Sequence, residues 1–218
     1  MTLYGPDTSN NNFRSSSAAI AFVSQLPGEG FSWIEQKVSE GNYYRDPYWP
    51  VISQWCHEND FPHIGYHYVT TNPPATQAHT WLANNGGSHA MLDFEANSGD
   101  IDNFWAVVRA FNDVGVTVSL SYIPRWYWQR IGSPDISRVP GLIASNYVNG
   151  TGYASNLYPG NDSYRWAPYG GATPQLLQFT DSAQIGSLSV DCNAFRGSLD
   201  ELTALLHPGG HGDAAVSA

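Results

Sequence analysis

The sequence predicts an α/β protein built on a largely parallel sheet. Strand-like apolar runs alternate with segments of helical spacing as far as residue 130, a rhythm typical of parallel strands joined by helices. The 218 residues carry Gly and Pro throughout and show no internal repeat, which suits one domain or one large barrel. After residue 130 the rhythm changes, because three further strands follow with no helix of comparable length between them.

The individual elements follow from the period of the apolar residues. The alternation of two predicts strands, and the spacing of three and four predicts helices. The predicted strands are 2–7, 31–38, 64–69, 89–95, 116–122, 140–147, 176–180 and 187–191. The predicted helices are 16–25, 48–59, 75–83, 101–114, 124–130 and 198–206. Residues 148–172 are rich in Gly, Asn, Tyr and Pro and predict a long functional loop. We expect one domain over 1–207 and a linker or tail over 208–218.

Composition excludes several classes of function. The net charge of −10, with only 9 Lys plus Arg, argues against nucleic acid or an anionic membrane as partner. The sequence contains no run of 18 apolar residues, so no membrane span is predicted. Aromatic residues reach 14%, including 8 Trp and 13 Tyr. Such side chains suit the flat faces of sugar rings, although a large aromatic core explains many of them equally well.

Neither the cysteines nor the N-terminus indicates a cofactor or an export signal. Cys56 and Cys192 are far apart, and neither a CxxC nor an HExxH pattern is present. They are interpreted as two buried thiols, and no metal or other cofactor is predicted. Residues 1–7 have neither a basic start nor an apolar run, so we expect synthesis in a cytoplasm without a signal peptide.

The strand over 89–95 carries the strongest chemical signal. Apolar residues lead into Asp93 and Glu95, which point to the same face because side chains alternate along a strand. Acids at the C-terminal end of a barrel strand are typical of an active site. Burial and a neighbouring acid raise the pKa of a carboxyl group, as general acid catalysis requires. A half-exposed strand with two solvated acids is the competing interpretation.

Five segments together resemble the family 25 glycoside hydrolases, the lysozymes of bacteria and phages that cut peptidoglycan between its sugars. Each segment is similar to a family motif, and all five occur in the family's order between residues 7 and 197. They are Asp7-Thr8-Ser9, Lys37-Val38-Ser39-Glu40-Gly41, Tyr66-His67-Tyr68, Leu92-Asp93-Phe94-Glu95, and Gln178-Phe179-Thr180-Asp181 with Val190-Asp191-Cys192-Asn193.

The resemblance implies a flattened TIM-like barrel of five β/α units followed by three strands, with an acidic cleft at the C-terminal strand ends. Asp7, Asp93, Glu95 and Asp191 match the family's acids. The implied activity is that of an N-acetylmuramidase, which cleaves the β-1,4 bond between N-acetylmuramic acid and N-acetylglucosamine. Phage-mediated lysis of a bacterial host is the implied setting, and the bacterial cell wall is the implied place of action.

Roles for these acids follow from glycoside chemistry, which usually needs two carboxyl groups across the bond. Glu95 is predicted to be the general acid, with Asp93 beside it raising its pKa. Asp7 is predicted to be the nucleophile or electrostatic stabiliser, unless the substrate's own acetamido group attacks. Asp191 would position the substrate or hold Asp7. Substrate contacts are predicted for Tyr66, Tyr122, Tyr147 and Gln178, although the three tyrosines suit a barrel core equally well.

Two other classes of function remain open at this point. A sugar-binding module without turnover could use the same scaffold, and a hydrolase could use the four acids as oxygen ligands for a divalent metal. The predicted partner is peptidoglycan, with no nucleic acid and no membrane insertion. We expect a monomer and a possible separate cell-wall-binding domain in a longer protein.

Overall fold

Nine strands and seven α-helices lie within residues 1–209, the part of the chain that the computed structural model describes. The strands are β1 Thr2–Thr8, β2 Ile34–Glu40, β3 Tyr44–Arg45, β4 His63–Tyr68, β5 His89–Asp93, β6 Thr117–Tyr122, β7 Leu142–Ser145, β8 Leu176–Ile185 and β9 Leu188–Arg196. The helices are α1 Ser16–Gln25, α2 Trp49–Glu58, α3 Pro74–Leu82, α4 Ile101–Asp113, α5 Arg125–Arg130, α6 Ala154–Leu157 and α7 Leu199–Leu206. The predicted tail lies outside the described residues from 210 onwards.

Eight of these strands close into a barrel. Their order is β1-β9-β8-β7-β6-β5-β4-β2, and a parallel pairing of β1 with β2 completes the ring. All neighbours are parallel except β9, which runs antiparallel to both β8 and β1. Helices α1 to α5 connect the first five barrel strands and β7, so the predicted barrel of five β/α units followed by three strands is confirmed.

The structure differs from the predicted elements at several places. β2 begins at Ile34 rather than at residue 31 and extends to Glu40. β8 and β9 form a hairpin longer than predicted, because polar residues such as Asp181 and Asn193 interrupt the apolar pattern without ending the pairing. The loop 148–172 contains α6 and a 3₁₀ helix, Tyr164–Trp166, and β3 lies in a segment predicted as a loop.

Two apolar clusters hold the layers together. The larger lies between the barrel and its helices, and the smaller fills the barrel interior with residues such as Leu3, Trp33 and Met91. α7 packs Leu202 and Leu206 into this inner cluster. It closes the end where the parallel strands begin, so the opposite end remains open for a site.

Local capping explains where several helices start. Asp100 accepts a hydrogen bond from the N–H of Asn103 at the start of α4, and Ser198 and Glu201 form a capping box on α7.

Cys56 and Cys192 are both buried and unbonded to one another, as predicted. Within residues 1–209, none of the helices combines the length and apolar character needed to cross a bilayer.

Candidate active site

An open cleft of about 350 Å³ lies at the rim formed by the C-terminal ends of the parallel strands. The structure brings all eight predicted site residues to this cleft. They are Asp7, Tyr66, Asp93, Glu95, Tyr122, Tyr147, Gln178 and Asp191. A cavity of about 340 Å³ at the other end of the barrel is lined by several histidines and contains none of them.

Asp191 reaches the rim by a route different from the predicted one. We expected it at the end of a strand over 187–191, with that end meeting the others on one rim. It is instead the fourth residue of β9, which runs against its neighbours and therefore presents its beginning at this rim. The antiparallel hairpin thus places Asp191 directly opposite Asp7.

Asp7, near the end of β1, is held by Gln178. Gln178 donates a hydrogen bond of 3.2 Å from Nε2 to Asp7 Oδ2, and the Tyr66 hydroxyl lies close enough to lower the pKa of Asp7. Burial raises the pKa of Asp7 well above its usual value, and the charges of Asp191 and Glu95 raise it further. Burial and nearby Asp181 likewise raise the pKa of Asp191 to about 6. The site is therefore built so that protons are shared among its acids near neutral pH.

Asp93 and Glu95 differ in exposure. Asp93 ends β5 and is buried, and its Oδ1 has no hydrogen-bond partner among the described residues. Glu95 lies just beyond the strand and is partly exposed. Its N–H donates to Ser98 Oγ at 3.0 Å, and its carbonyl accepts from the Ser98 N–H at 2.9 Å, so a short turn fixes its position.

Burial and charge act on both acids of this pair. Burial is the largest cause of the raised pKa of Asp93, and the charge of Glu95 adds to it. The pKa of Glu95 is raised by burial and lowered by Lys37. The role of Asp93 in raising the pKa of Glu95 stays a prediction.

Lys37 supplies the positive charge of the cleft. It is the only lysine in the sequence, and its ammonium group forms a short salt bridge with Glu40. It also lies 5.0 Å from the centre of the Tyr68 ring, within cation–π range. Its charge lowers the pKa of Asp7, Asp93 and Glu95. We did not predict it as a site residue, although a single lysine in an acidic chain was an available signal.

A chain of hydrogen bonds connects the predicted substrate contacts to Asp7. The Tyr147 hydroxyl donates to Gln178 Oε1 at 2.6 Å, and Tyr122 lies close enough to lower the pKa of Tyr147. Gln178 is almost completely buried, so both ends of its amide are occupied by protein groups. Tyr66 and Tyr122 belong to the inner cluster and also line the cleft, whereas Tyr147 is 39% exposed. Tyr66 and Tyr122 are therefore part of both the barrel core and the cleft wall, and their contact with a substrate stays a prediction.

The sequence reasoning missed one buried acid altogether. Glu35, on β2, is fully buried and lies level with Asp7 across the parallel pairing of β1 and β2. Its Oε2 accepts a 2.9 Å hydrogen bond from Asn193 Nδ2. Glu35 stands between Ile34 and Gln36, and a charged residue in a strand is normally exposed, so the local pattern gave no sign of its burial.

The arrangement can support acid–base chemistry at one cleft. It offers a partly exposed carboxyl group with a raised pKa on one side, Glu95, and a second carboxyl group, Asp7, on a different strand. Glycosidic bonds are cut by such pairs. Among residues 1–209, no group of three or more His, Cys, Asp or Glu side chains has an arrangement that could hold a metal ion.

Solved structures with this fold include three from different sources. The muramidase from Acremonium alcalophilum is 16% identical, with a TM-score of 0.71 over 94% of this chain and 98% of that chain. A family GH25 lysozyme from Aspergillus fumigatus is 20% identical, with a TM-score of 0.66 over 94% and 99%. The catalytic domain of endolysin ply40, from bacteriophage P40 of Listeria monocytogenes, is 17% identical, with a TM-score of 0.67 over 93% and 98%.

Comparison of the sequence itself is less informative, because no protein-family model and no curated protein matches it. The likeness therefore rests on structure, extends over nearly the whole chain, and concerns the path of the backbone. The protein has the fold of the family 25 glycoside hydrolase lysozymes.

Proposed function

We propose that the protein is a peptidoglycan hydrolase, specifically an N-acetylmuramidase that cleaves the β-1,4 bond between N-acetylmuramic acid and N-acetylglucosamine. The observation that carries the proposal is the convergence of four acids at one open rim of the barrel. They come from three distant parts of the chain. A structural scaffold has no need to gather like charges in this way, because their repulsion opposes folding.

Glu95 is the proposed general acid, which protonates the glycosidic oxygen as the bond breaks. Its partial exposure lets it reach a bound glycan, and burial raises its pKa, which favours the protonated form that a general acid needs. Asp93 is the proposed partner behind it. Because Asp93 is more deeply buried, it is the group that retains a proton when Glu95 gives one up.

Asp7 is proposed to stabilise the positive charge that develops at the sugar carbon, either by direct attack or by supporting the substrate's acetamido group. Gln178 orients it through the 3.2 Å hydrogen bond. Asp191, opposite Asp7 on β9, is proposed to hold Asp7 and position the substrate. The proposed reaction needs no metal ion or organic cofactor, since these carboxyl groups supply both the proton and the negative charge.

The tyrosines around the cleft suit a carbohydrate ligand. Tyr68 and Tyr147 are partly exposed and lie beside the acids, where ring faces can stack on sugars and hydroxyl groups can bond to them. The proposed partner is the bacterial cell wall. A phage endolysin among the proteins of the same fold supports host lysis as the setting.

The test is digestion of purified peptidoglycan by the wild-type protein and by Glu95→Gln. We expect the wild type to clear a wall suspension with or without EDTA, and the variant to bind walls without clearing them. Wall binding without clearing by folded wild-type protein would favour the sugar-binding module. Clearing that EDTA abolishes and a divalent ion restores would favour the metal hydrolase. Either result would contradict the proposal.

A further inference from the structure

Glu35 and Asn193 form a polar pair inside the barrel that the proposed reaction does not use. Both side chains are fully buried, and the 2.9 Å hydrogen bond from Asn193 Nδ2 to Glu35 Oε2 joins β2 to β9. The strand between them is β1, which carries Asp7. Glu35 lies level with Asp7, and Asn193 lies level with Gly5.

Gly5 on β1, which lies level with Asn193, leaves its side-chain space to the indole of Trp33. A Cβ atom at Gly5 would lie 2.3 Å from the ring of Trp33, so a larger residue would collide with that indole. β1 therefore contributes no side chain between Leu3 and Asp7 on its inner face. Side chains on the two flanking strands, β2 and β9, can therefore form a hydrogen bond across β1, beside Asp7.

The unpaired atoms of the pair are complementary. Glu35 Oε1 and Asn193 Oδ1 are both buried and have no hydrogen-bond partner among the described residues. If Glu35 is ionised, both atoms are acceptors and neither can bond to the other, which is costly for buried polar atoms. A single proton on Glu35 Oε1 supplies the missing donor, because a carboxylic acid and a primary amide each offer one donor and one acceptor.

The surroundings favour the neutral form of Glu35. Burial raises its pKa well above the usual value, and Asp7, Asp93 and Asp191 raise it further. The charge of an ionised Glu35 would raise the pKa of the buried Cys192 thiol, and the ammonium group of Lys37, two residues further along β2, is engaged by Glu40. Among the described residues, Glu35 therefore has no counter-charge of its own.

We propose that Glu35 is a neutral positioning residue, whose acid–amide pair with Asn193 ties β2 to β9 behind Asp7 and fixes the placement of Asp7 and Asp191. The positioning role rests on the proposed function, whereas the protonation state does not. Asn193 and Asp191 are two residues apart on β9, and Glu35 and Asp7 are paired across β1 and β2. One rigid link can thus hold both acids against their mutual repulsion.

The protonation state is tested on unliganded protein with 13C-labelled glutamate. The sequence has six glutamates, and the pKa is raised at Glu35 and at Glu95. The infrared difference between wild type and Glu35→Gln at pH 7 should therefore isolate the Glu35 signal. We expect loss of a protonated carboxyl C=O band. Loss of a carboxylate band instead would overturn the proposal.

Stability gives a second measure of the same proton. A raised pKa means that the folded state binds more protons than the unfolded state above about pH 4.3, so stability falls as pH rises towards the folded pKa. Glu35→Gln removes this loss and keeps both hydrogen bonds to Asn193. The melting temperature of the variant minus that of the wild type should increase from pH 5 to pH 8. A constant difference would contradict a neutral Glu35.

Wall digestion tests the positioning role. Glu35→Gln should retain kcat within about twofold, whereas Glu35→Leu, which leaves Asn193 unsatisfied, should lose roughly 10–100-fold in kcat with little change in KM. Wild-type kcat in a folded Glu35→Leu variant, or a loss in Glu35→Gln as large as that in Glu35→Leu, would overturn it. Absence of wall cleavage by the wild type would instead refute the proposed function, and the infrared result would still decide the charge of Glu35.

Discussion

Asp7 and Asp191 face each other directly across the antiparallel pairing of β1 and β9. Like charges opposite one another on neighbouring strands destabilise a sheet. Gln178 is hydrogen-bonded to Asp7, and burial raises the pKa of Asp191 to about 6. Repulsion between Asp7 and Asp191 thus opposes the pairing of β1 with β9 that closes the barrel, and this pairing lies at the proposed active site.

Replacing the proposed general acid should remove turnover and leave the fold intact. Glu95→Gln keeps the shape of the side chain but cannot deliver a proton. We expect kcat to fall by at least about 10²–10⁴-fold, the range attributed to general acid–base catalysis. Turbidity assays on walls provide the measurement, and exposed Glu29→Gln is the matched control. Near-normal turnover in Glu95→Gln would remove Glu95 from this role.

Asp93→Asn should lower the activity and raise the stability of the protein. Because burial and Glu95 raise the pKa of Asp93, the folded state holds an extra proton above about pH 3.9, and stability declines as pH rises to the folded pKa. The asparagine amide of the variant does not titrate, so this decline in stability with pH is absent. Calorimetry at pH 7 should show a rise of at least about 2 °C, roughly 1 kcal/mol for a chain of this size, which shrinks towards pH 4.

The control for this experiment is Asp162→Asn, at an exposed position outside the cleft. It should leave the melting temperature unchanged at both pH values. A destabilised Asp93→Asn at pH 7 would instead show that the buried carboxylate of Asp93 has favourable partners and is not a source of repulsion.

Removing the positive charge of the cleft should move the pH–activity profile to higher pH. Lys37 lowers the pKa of Asp7, Asp93 and Glu95, so in Lys37→Met all three values should rise. Both limbs of the profile of kcat/KM should then shift in the alkaline direction. Lys37→Arg keeps the charge and serves as the control. A profile of Lys37→Met that overlays that of Lys37→Arg would show that the ammonium group does not set these pKa values.

The hydroxyl of Tyr147 should contribute to catalysis through Gln178. In Tyr147→Phe the amide oxygen of Gln178 loses its 2.6 Å donor, and the orientation of the 3.2 Å bond to Asp7 is no longer fixed. A hydrogen bond of about 0.5–1.5 kcal/mol corresponds to a loss of roughly 2–10-fold in kcat. Tyr153→Phe, at an exposed tyrosine of the same loop, is the control. Equal kcat values for the two variants would exclude this route to Asp7.

Local patterns predicted much of the fold and the acids Asp93 and Glu95, whereas Asp7 and Asp191 were predicted from the family resemblance. The alternation of strands with helices requires only the apolar period of each segment, and Asp93 and Glu95 directly follow a strand whose burial is visible in its own residues. The same holds for α4, whose apolar face is Phe104, Val107, Val108 and Phe111.

Features that depend on closure of the barrel could not be predicted locally. The direction of β9 depends on its pairing with both β8 and β1, and this pairing decides that Asp191 stands at the beginning of a strand rather than at its end. Glu35 has the sequence context of an exposed strand residue. Its burial is explained only by the folded barrel, where it accepts a hydrogen bond from Asn193, 158 residues away in the sequence.

The most direct test of the central claim is identification of the new reducing end after digestion of purified peptidoglycan. Released fragments are reduced with borohydride and analysed by mass spectrometry, with Glu95→Gln digested in parallel. We predict that the wild type produces reduced N-acetylmuramic acid at the new ends and that the variant produces none above background. Reduced N-acetylglucosamine at those ends, or cleaved peptide bonds with intact glycan strands, would contradict muramidase activity.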